Sequence, residues 1–253
     1  MPERLSFDRV AMIYDETRGL PPKAMARLLA VLIDELHGKR LLEVGVGTGR
    51  YAVPLQKSGI RVVGVDISHP MVELGLAKGL RNVAFADGAR LPFRSGSFDM
   101  STTSHVLHLI PDWRDVLREL GRVTRDSYFT IIERSHHADS IKKEYDDLVR
   151  KSGWTWVVPG LHERDLPALL KPDLLIPVGP FQEVRVADVI LKELEARSYS
   201  SQWEVPEKVH RAVMSTLHKK WSGQDLKKSY TLEVTFWRAV RLPELAKAPV
   251  HGS

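Results

Sequence analysis

Cysteine is absent from all 253 residues. Disulfides, zinc–thiolate centres and thiol nucleophiles are therefore excluded. Asparagine occurs once, at Asn82, and glutamine is scarce, while Arg, Lys and Glu are plentiful. That balance suits a thermophile, in which amide and thiol side chains are chemical liabilities. Long apolar runs are missing too. The best candidates, 24–33 and 184–191, fall well short of the roughly 20 apolar residues needed to cross a bilayer. The opening residues include Glu3 and Asp8 and form no apolar stretch, so the expectation is a cytoplasmic protein without a signal peptide. Repeats and low-complexity tracts are also lacking.

What remains is the composition of a globular chain. With 43% hydrophobic and 27% charged residues, it holds enough apolar mass for one α/β domain with a small cap. The formal charge of +5 raises nucleic acid as a partner. The basic residues are scattered, however, and only Lys219-Lys220 and Lys227-Lys228 cluster locally. A solvated face explains them better than a nucleic-acid track.

From residue 40 the pattern alternates. Residues 40–44, 61–65, 83–86, 97–102 and 127–132 read as short strands, with helices over 51–57, 70–78 and 113–122. Ser68 and Pro70 start the second of these helices well, whereas Pro54 intrudes awkwardly on the first. Ahead of them, 23–36 has helical spacing and Gly38 is placed to end it. Such alternation predicts a parallel sheet with helices on both faces and ligands beyond the carboxyl ends of the strands. The C-terminal part is less regular. Residues 141–151, 163–170, 191–197 and 206–221 read as helices, 181–190 and 230–240 as strands, and 246–253 as a frayed tail. One domain is expected over 1–253: lead-in and lid helices over 1–37, a cofactor-binding core over 38–133, a substrate-covering region with the sixth strand over 134–225, and the last strand over 226–245.

The densest chemical signal is residues 41–50, LLEVGVGTGR, which follow a strand and open a helix. Gly45, Gly47 and Gly49 let the backbone turn sharply and approach a ligand without Cβ clashes. Their G-x-G-x-G spacing differs from the G-x-G-x-x-G of dinucleotide folds. Glu43, just ahead of the loop, would repel a pyrophosphate but attract an ammonium. Asp66 ends the second strand, where a carboxylate can accept hydrogen bonds from ribose hydroxyls. Asp87, followed by Gly88, ends the third, where it can meet an adenine amino group, and Ile67 and Met71 can flank the ring. The glycine loop with three strand-end carboxylates is far more specific than any one of them.

Four segments in succession, LLEVGVGTGR, RVVGVDIS, FADGARLPFRSGSFDM and HVLHLIPDW, resemble the motifs of class I S-adenosylmethionine-dependent methyltransferases. The closest likeness is to the group that includes ubiquinone/menaquinone-biosynthesis C-methyltransferases and many small-molecule enzymes. It covers about residues 35–133. The resemblance implies an α/β, Rossmann-like fold: a seven-stranded, mostly parallel sheet with helices on both faces, its last strand (230–240) antiparallel, and a small helical cap. It also implies S-adenosyl-L-methionine as cofactor, S-adenosyl-L-homocysteine as product, and cofactor contacts from Gly45, Gly47, Asp66, Asp87 and the Ser104-His105 region. Tyr14, in Tyr14-Asp15-Glu16, resembles the segment that closes over the cofactor in this group. The expected cofactor-binding set is thus Tyr14, Glu43, Gly45, Gly47, Gly49, Asp66, Ile67, Met71, Asp87, Gly88 and Ser104. No downstream motif matches a substrate-specific subfamily.

A sulfonium methyl is already activated, so catalysis is mainly in-line placement of a nucleophile, with a general base where the acceptor needs one. His105 and His108 follow the fourth strand and are the candidate bases. Two further roles are open: His105 can pack its ring on the cofactor, and His108 can cap a helix. His136 and His137, after Glu133, read as a polar loop, and no metal site is expected. Arg18, Arg197, Tyr199 and Trp203 are candidate substrate contacts, Arg197 through an acidic group and the aromatics as walls. The favoured acceptor is a small, partly apolar molecule, with no membrane span involved. Methylation of tRNA or another RNA is the alternative raised by the basic charge, and a non-catalytic S-adenosylmethionine-binding partner protein is a third. A nicotinamide oxidoreductase is disfavoured by the glycine spacing and by Glu43.

Overall fold

The five short apolar stretches of the N-terminal half all form strands, and they pair in parallel. The computed structural model describes residues 19–135 and 141–249. Within them, β1 (Arg40–Val44), β2 (Arg61–Asp66), β3 (Val83–Phe85), β4 (Phe98–Thr103) and β5 (Thr124–Ser135) precede β6 (Leu174–Val186) and β7 (Asp225–Arg238). The sheet order is β3-β2-β1-β4-β5-β7-β6, and β7 runs antiparallel to both β5 and β6. This is the expected mostly parallel sheet of seven strands. The winding reverses between β1 and β4, which opens a crevice at their carboxyl ends.

Helices cover both faces because neighbouring strand residues point in opposite directions. Leu41 and Phe129 face α1 (Pro22–Leu36) and α2 (Ala52–Lys57), whereas Leu42 and Tyr128 face α4 (Trp113–Val123) and α9 (Leu242–Leu245). Helix α1 buries Ala24, Leu28, Leu32 and Leu36, a stripe at every fourth residue, and Gly38 follows its end at φ +74°. Pro54 sits at the third position of α2, where a missing N–H costs no helical hydrogen bond. Ser68 caps α3 (His69–Ala77) by accepting from the Met71 amide at 3.3 Å.

A third core lies apart from the sheet. It joins α5 (Ile141–Lys151), α7 (Ala187–Glu195) and α8 (Glu207–Trp221) through Tyr145, Leu191, Leu194 and Leu217, all fully buried. Strand β6 leads into α7 and α8 leads back into β7, and Val186 pairs with Asp225 where they part. The helical cap therefore stands at the same sheet edge as the crevice. Between α5 and β6, a short turn at Glu163–Asp165 leads into α6 (Leu166–Leu169).

Several boundaries differ from those expected; β7, for example, begins at Asp225 rather than at 230. Strand β6 begins at Leu174, because Pro177 and Pro180 lie on a sheet-edge strand that tolerates them. It ends at Val186, since Ala187, Ile190, Leu191 and Leu194 have helical spacing and bury against the cap. Ala246 is not frayed but fully buried in the α4–α9 core. Among the described residues, no helix is long and apolar enough to cross a membrane.

Candidate cofactor cleft and the segment after β4

At the end of β1 the amides of Gly45 and Val46 both donate to the Val65 carbonyl, at 2.7 and 3.1 Å, so the loop folds back over β2. Gly45, Gly47 and Gly49 all have positive φ. A Cβ on Gly45 would overlap Val106 Cγ2, which shows how tightly the segment after β4 packs on this loop. Asp66 fastens the loop from the other side. Its Oδ2 accepts from the Gly47 amide at 2.7 Å and its Oδ1 from the Ser68 amide at 2.9 Å.

These elements enclose a cleft of ≈ 920 Å³ including its open mouth. Glu43, Gly45, Gly47, Asp66, Ile67, Met71, Asp87, Gly88, Ser104 and His105 all line it, so one cavity gathers ten of the expected residues. Gly49 does not; its φ of +74° and its closeness to Val53 and Leu80 serve the turn into α2. Asp87 also braces its own turn, accepting from the Ala89 amide at 2.9 Å. Arg50 and Tyr51, next to the glycine motif, and Leu109 and Ile110, after β4, line the cleft as well. Their nearness in sequence to the motifs is the signal that points to them. Tyr14, Arg18, His136 and His137 lie outside the described residues.

Burial dominates the electrostatics of the cleft floor. Glu43 is 3% exposed, and burial pushes its carboxyl up to about 8, against the attraction of Arg50 and with the repulsion of Asp66. Among the described residues its Oε2 has no hydrogen-bond partner, and neither has Nε of Arg50. Beside them Tyr51 is buried, with the Arg50 guanidinium 5.0 Å from its ring centroid.

His105 and His108 part company. His105 is exposed at the cleft with a left-handed backbone, φ +58°. His108 is buried outside the cleft lining, in a turn over Leu107–Leu109, where its ring stacks on His162 at 4.8 Å. Its Nδ1 lies 3.9 Å from Glu163 Oε2, an ion-pair separation too long for a hydrogen bond. Glu163 itself is 5% exposed, and its Oε1 accepts from the Val106 and Leu107 amides at 2.7 and 3.0 Å. Burial would raise this carboxyl, but His108, His105 and the Val106 amide together hold it down at about 2. His162 is lowered to about 4 by burial, then by neighbouring His108 and Arg164. Glu163 and His162 carried no sequence signal, since only the fold brings them to His108.

The three cap residues expected to touch substrate make hydrogen bonds within the cap. The Arg197 guanidinium donates to the carbonyls of Gln202 and Val205 at 2.6 and 2.7 Å and pairs with Glu207 at 2.9 Å. Trp203 donates to the Arg197 carbonyl at 2.9 Å, and Tyr199 to Glu193 at 2.8 Å. They join the α7–α8 connection, and none lines the cleft. Among the described residues, no group of carboxylates and histidines could hold a metal ion.

Residues 42–131 match the family model described as a methyltransferase domain. They are a class I methyltransferase domain. Nocamycin O-methyltransferase from Saccharothrix syringae is 38% identical over 47% of this chain and 46% of its own. Demethylmenaquinone methyltransferase from Streptomyces griseus is 36% identical over 47% of this chain and 54% of its own. The chain thus spans about half the length of these two curated relatives. Among solved structures, a protein of Anabaena variabilis assigned as a methyltransferase of an antibiotic biosynthesis pathway shares the fold. Its TM-score is 0.59 at 17% identity, over 83% of this chain and 96% of that one.

Proposed function

We propose that the protein transfers a methyl group from S-adenosylmethionine to a small, partly apolar acceptor. One observation carries the reading: the buried Oε2 of Glu43, unpartnered among the described residues, on the floor of a cleft built by a methyltransferase domain. A buried carboxylate oxygen without a partner is costly unless a ligand supplies one, and an ammonium fits that need. The rest of the lining suits the same guest. Asp66 would take ribose hydroxyls, Asp87 and Gly88 the adenine edge, and Ile67 and Met71 the faces of the ring. When bound, S-adenosylmethionine supplies a methyl group activated by its sulfonium.

The chain's own residues then bind, orient and shield. Leu109 and Ile110 give apolar surface for an acceptor, and Tyr51 and Val106 exclude water from the floor. His105, exposed at the cleft, can take a proton on its ring where the acceptor must lose one. One lysine of each local basic pair is engaged in an ion pair: Lys220 contacts Glu144 at 2.8 Å, and Lys228 contacts Glu133 at 2.7 Å. This supports a small acceptor over RNA.

The test is labelled S-adenosylmethionine incubated with the protein and a cell extract separated into small-molecule and tRNA fractions. Label in the apolar small-molecule fraction is expected. Label in tRNA only, or no label with no calorimetric binding of S-adenosylhomocysteine, overturns the reading.

A further inference from the structure

The segment that follows β4 makes the cleft wall opposite the glycine loop, yet its own anchorage lies elsewhere in the chain. Ser104, His105, Val106, Leu109 and Ile110 all line the cleft, while Leu107 and His108 are buried behind it. His105 holds a left-handed backbone, which costs a non-glycine residue and so needs support on either side. That support comes from residues 160–163. Gly160 donates to the His108 carbonyl at 3.1 Å and Leu161 to the Leu107 carbonyl at 3.3 Å. The approach is so close that a Cβ on Gly160 would overlap the Leu107 carbonyl oxygen. Glu163 then reaches back, and one carboxylate oxygen takes the amides of both Val106 and Leu107.

From this geometry we infer that Glu163 is a positioning residue for the cleft: it fixes the backbone at Val106 and Leu107, and with it His105 and the Val106 wall against Gly45. The inference rests on the proposed reading that the cleft binds S-adenosylmethionine. Glu163 does not line the cleft, so it acts through the residues it holds. Without the acceptor oxygen, the part-buried Val106 amide and the buried Leu107 amide would both lose their partner, and the strained turn at His105 would relax. Relaxation there shifts Val106, whose side chain already touches Gly45. The role depends on reach, because both amides need an acceptor oxygen at the 2.7 and 3.0 Å that Glu163 Oε1 provides.

Two substitutions separate reach from charge. Glu163→Gln keeps an oxygen at the same distance and loses the charge; Glu163→Asp keeps the charge and loses the reach. Both are examined by backbone hydrogen exchange and by calorimetric titration with S-adenosylhomocysteine, well below each variant's Tm. Glu163→Asp is expected to speed exchange at Val106 and Leu107 and to weaken binding by about tenfold or more, as lost hydrogen bonds to buried amides require. Glu163→Gln should stay within about threefold of the unmodified protein on both readouts. A purely structural role would lower the Tm of both variants and move neither exchange nor affinity selectively, and that result overturns the inference. So does a Glu163→Gln variant as impaired as Glu163→Asp, which would make the charge on Glu163 the active feature. If the unmodified protein fails to bind S-adenosylhomocysteine, the cofactor reading falls, while the exchange measurement still decides whether Glu163 holds the segment.

Discussion

The Gly47 amide donates to Oδ2 of Asp66 at 2.7 Å, which ties the glycine loop after β1 to the end of β2. Asp66 is thus both a part of the loop's architecture and a wall of the cleft. Asp66→Ala removes acceptors from the Gly47 and Ser68 amides as well as the ribose contact proposed above. Affinity for S-adenosylhomocysteine should fall by roughly 1–3 kcal/mol, with a lower Tm alongside. Unchanged calorimetric affinity would reject the ribose assignment even if the Tm dropped.

Gly45 and Gly38 have nearly the same backbone conformation, φ +76° and +74°, but different surroundings. Among the described residues a Cβ on Gly38 meets nothing within 4 Å, whereas one on Gly45 overlaps Val106. Gly38→Ala should therefore cost only the left-handed strain, about 1–2 kcal/mol. Gly45→Ala should cost that plus the displacement of Val106, and should also weaken cofactor binding. Urea unfolding of the two variants measures the difference; equal losses would mean that the wall after β4 yields freely.

The contrast between these glycines also marks what the sequence could convey. Local signals reached the strands of the first half and the glycine loop, because the period of the apolar residues and the positions of Gly, Asp and Ser are set by backbone sterics. Ten of the cleft-lining residues were legible for the same reason: strand-end positions in a parallel sheet converge without knowledge of the rest of the fold. The cap was different. Arg197, Tyr199 and Trp203 suggested a ligand-binding patch by residue type, yet their hydrogen bonds run to Glu193, Arg197, Gln202, Val205 and Glu207, within ten positions along the chain. Glu163 was invisible because its two amide partners lie more than fifty positions earlier.

Arg197 offers a direct check on that reassignment. Its guanidinium satisfies two carbonyls and one carboxylate that bridge α7 to α8. Arg197→Ala should destabilise the protein by roughly 1–3 kcal/mol in thermal or urea unfolding. Affinity for S-adenosylhomocysteine should not change. Normal stability with impaired methyl transfer would return Arg197 to the substrate site.

The buried cluster behind the cleft sets an acid limit. His162 titrates at about 4 against an ordinary 6.5, so between those values the unfolded chain binds a proton that the folded one refuses. Stability therefore declines as the pH falls from about 6.5 to 4. Glu163, held at about 2 against 4.5, adds a second loss as the pH falls from 4.5 to 2. His162→Gln should flatten the upper part of this decline in a series of melting curves. An identical pH dependence in the variant would show that His162 stays accessible to protons in the folded state.

Glu43 works in the opposite sense. Burial raises its carboxyl from 4.5 to about 8, so between these values the folded protein holds a proton that the unfolded chain has released. The free protein should thus lose stability as the pH rises from 4.5 to 8. Glu43→Gln, neutral at every pH, should remove that share of the slope and melt higher than the unmodified protein at pH 8. The same substitution should weaken S-adenosylhomocysteine, because an ammonium gains more from an ionised carboxylate than from an amide. Binding to the unmodified protein near neutral pH should then release protons, which calorimetry in buffers of different ionisation enthalpy detects. A Glu43→Gln variant that melts higher but binds equally well would separate the burial of Glu43 from any role in holding the cofactor. One that melts lower would mean that the carboxylate braces the β1 loop.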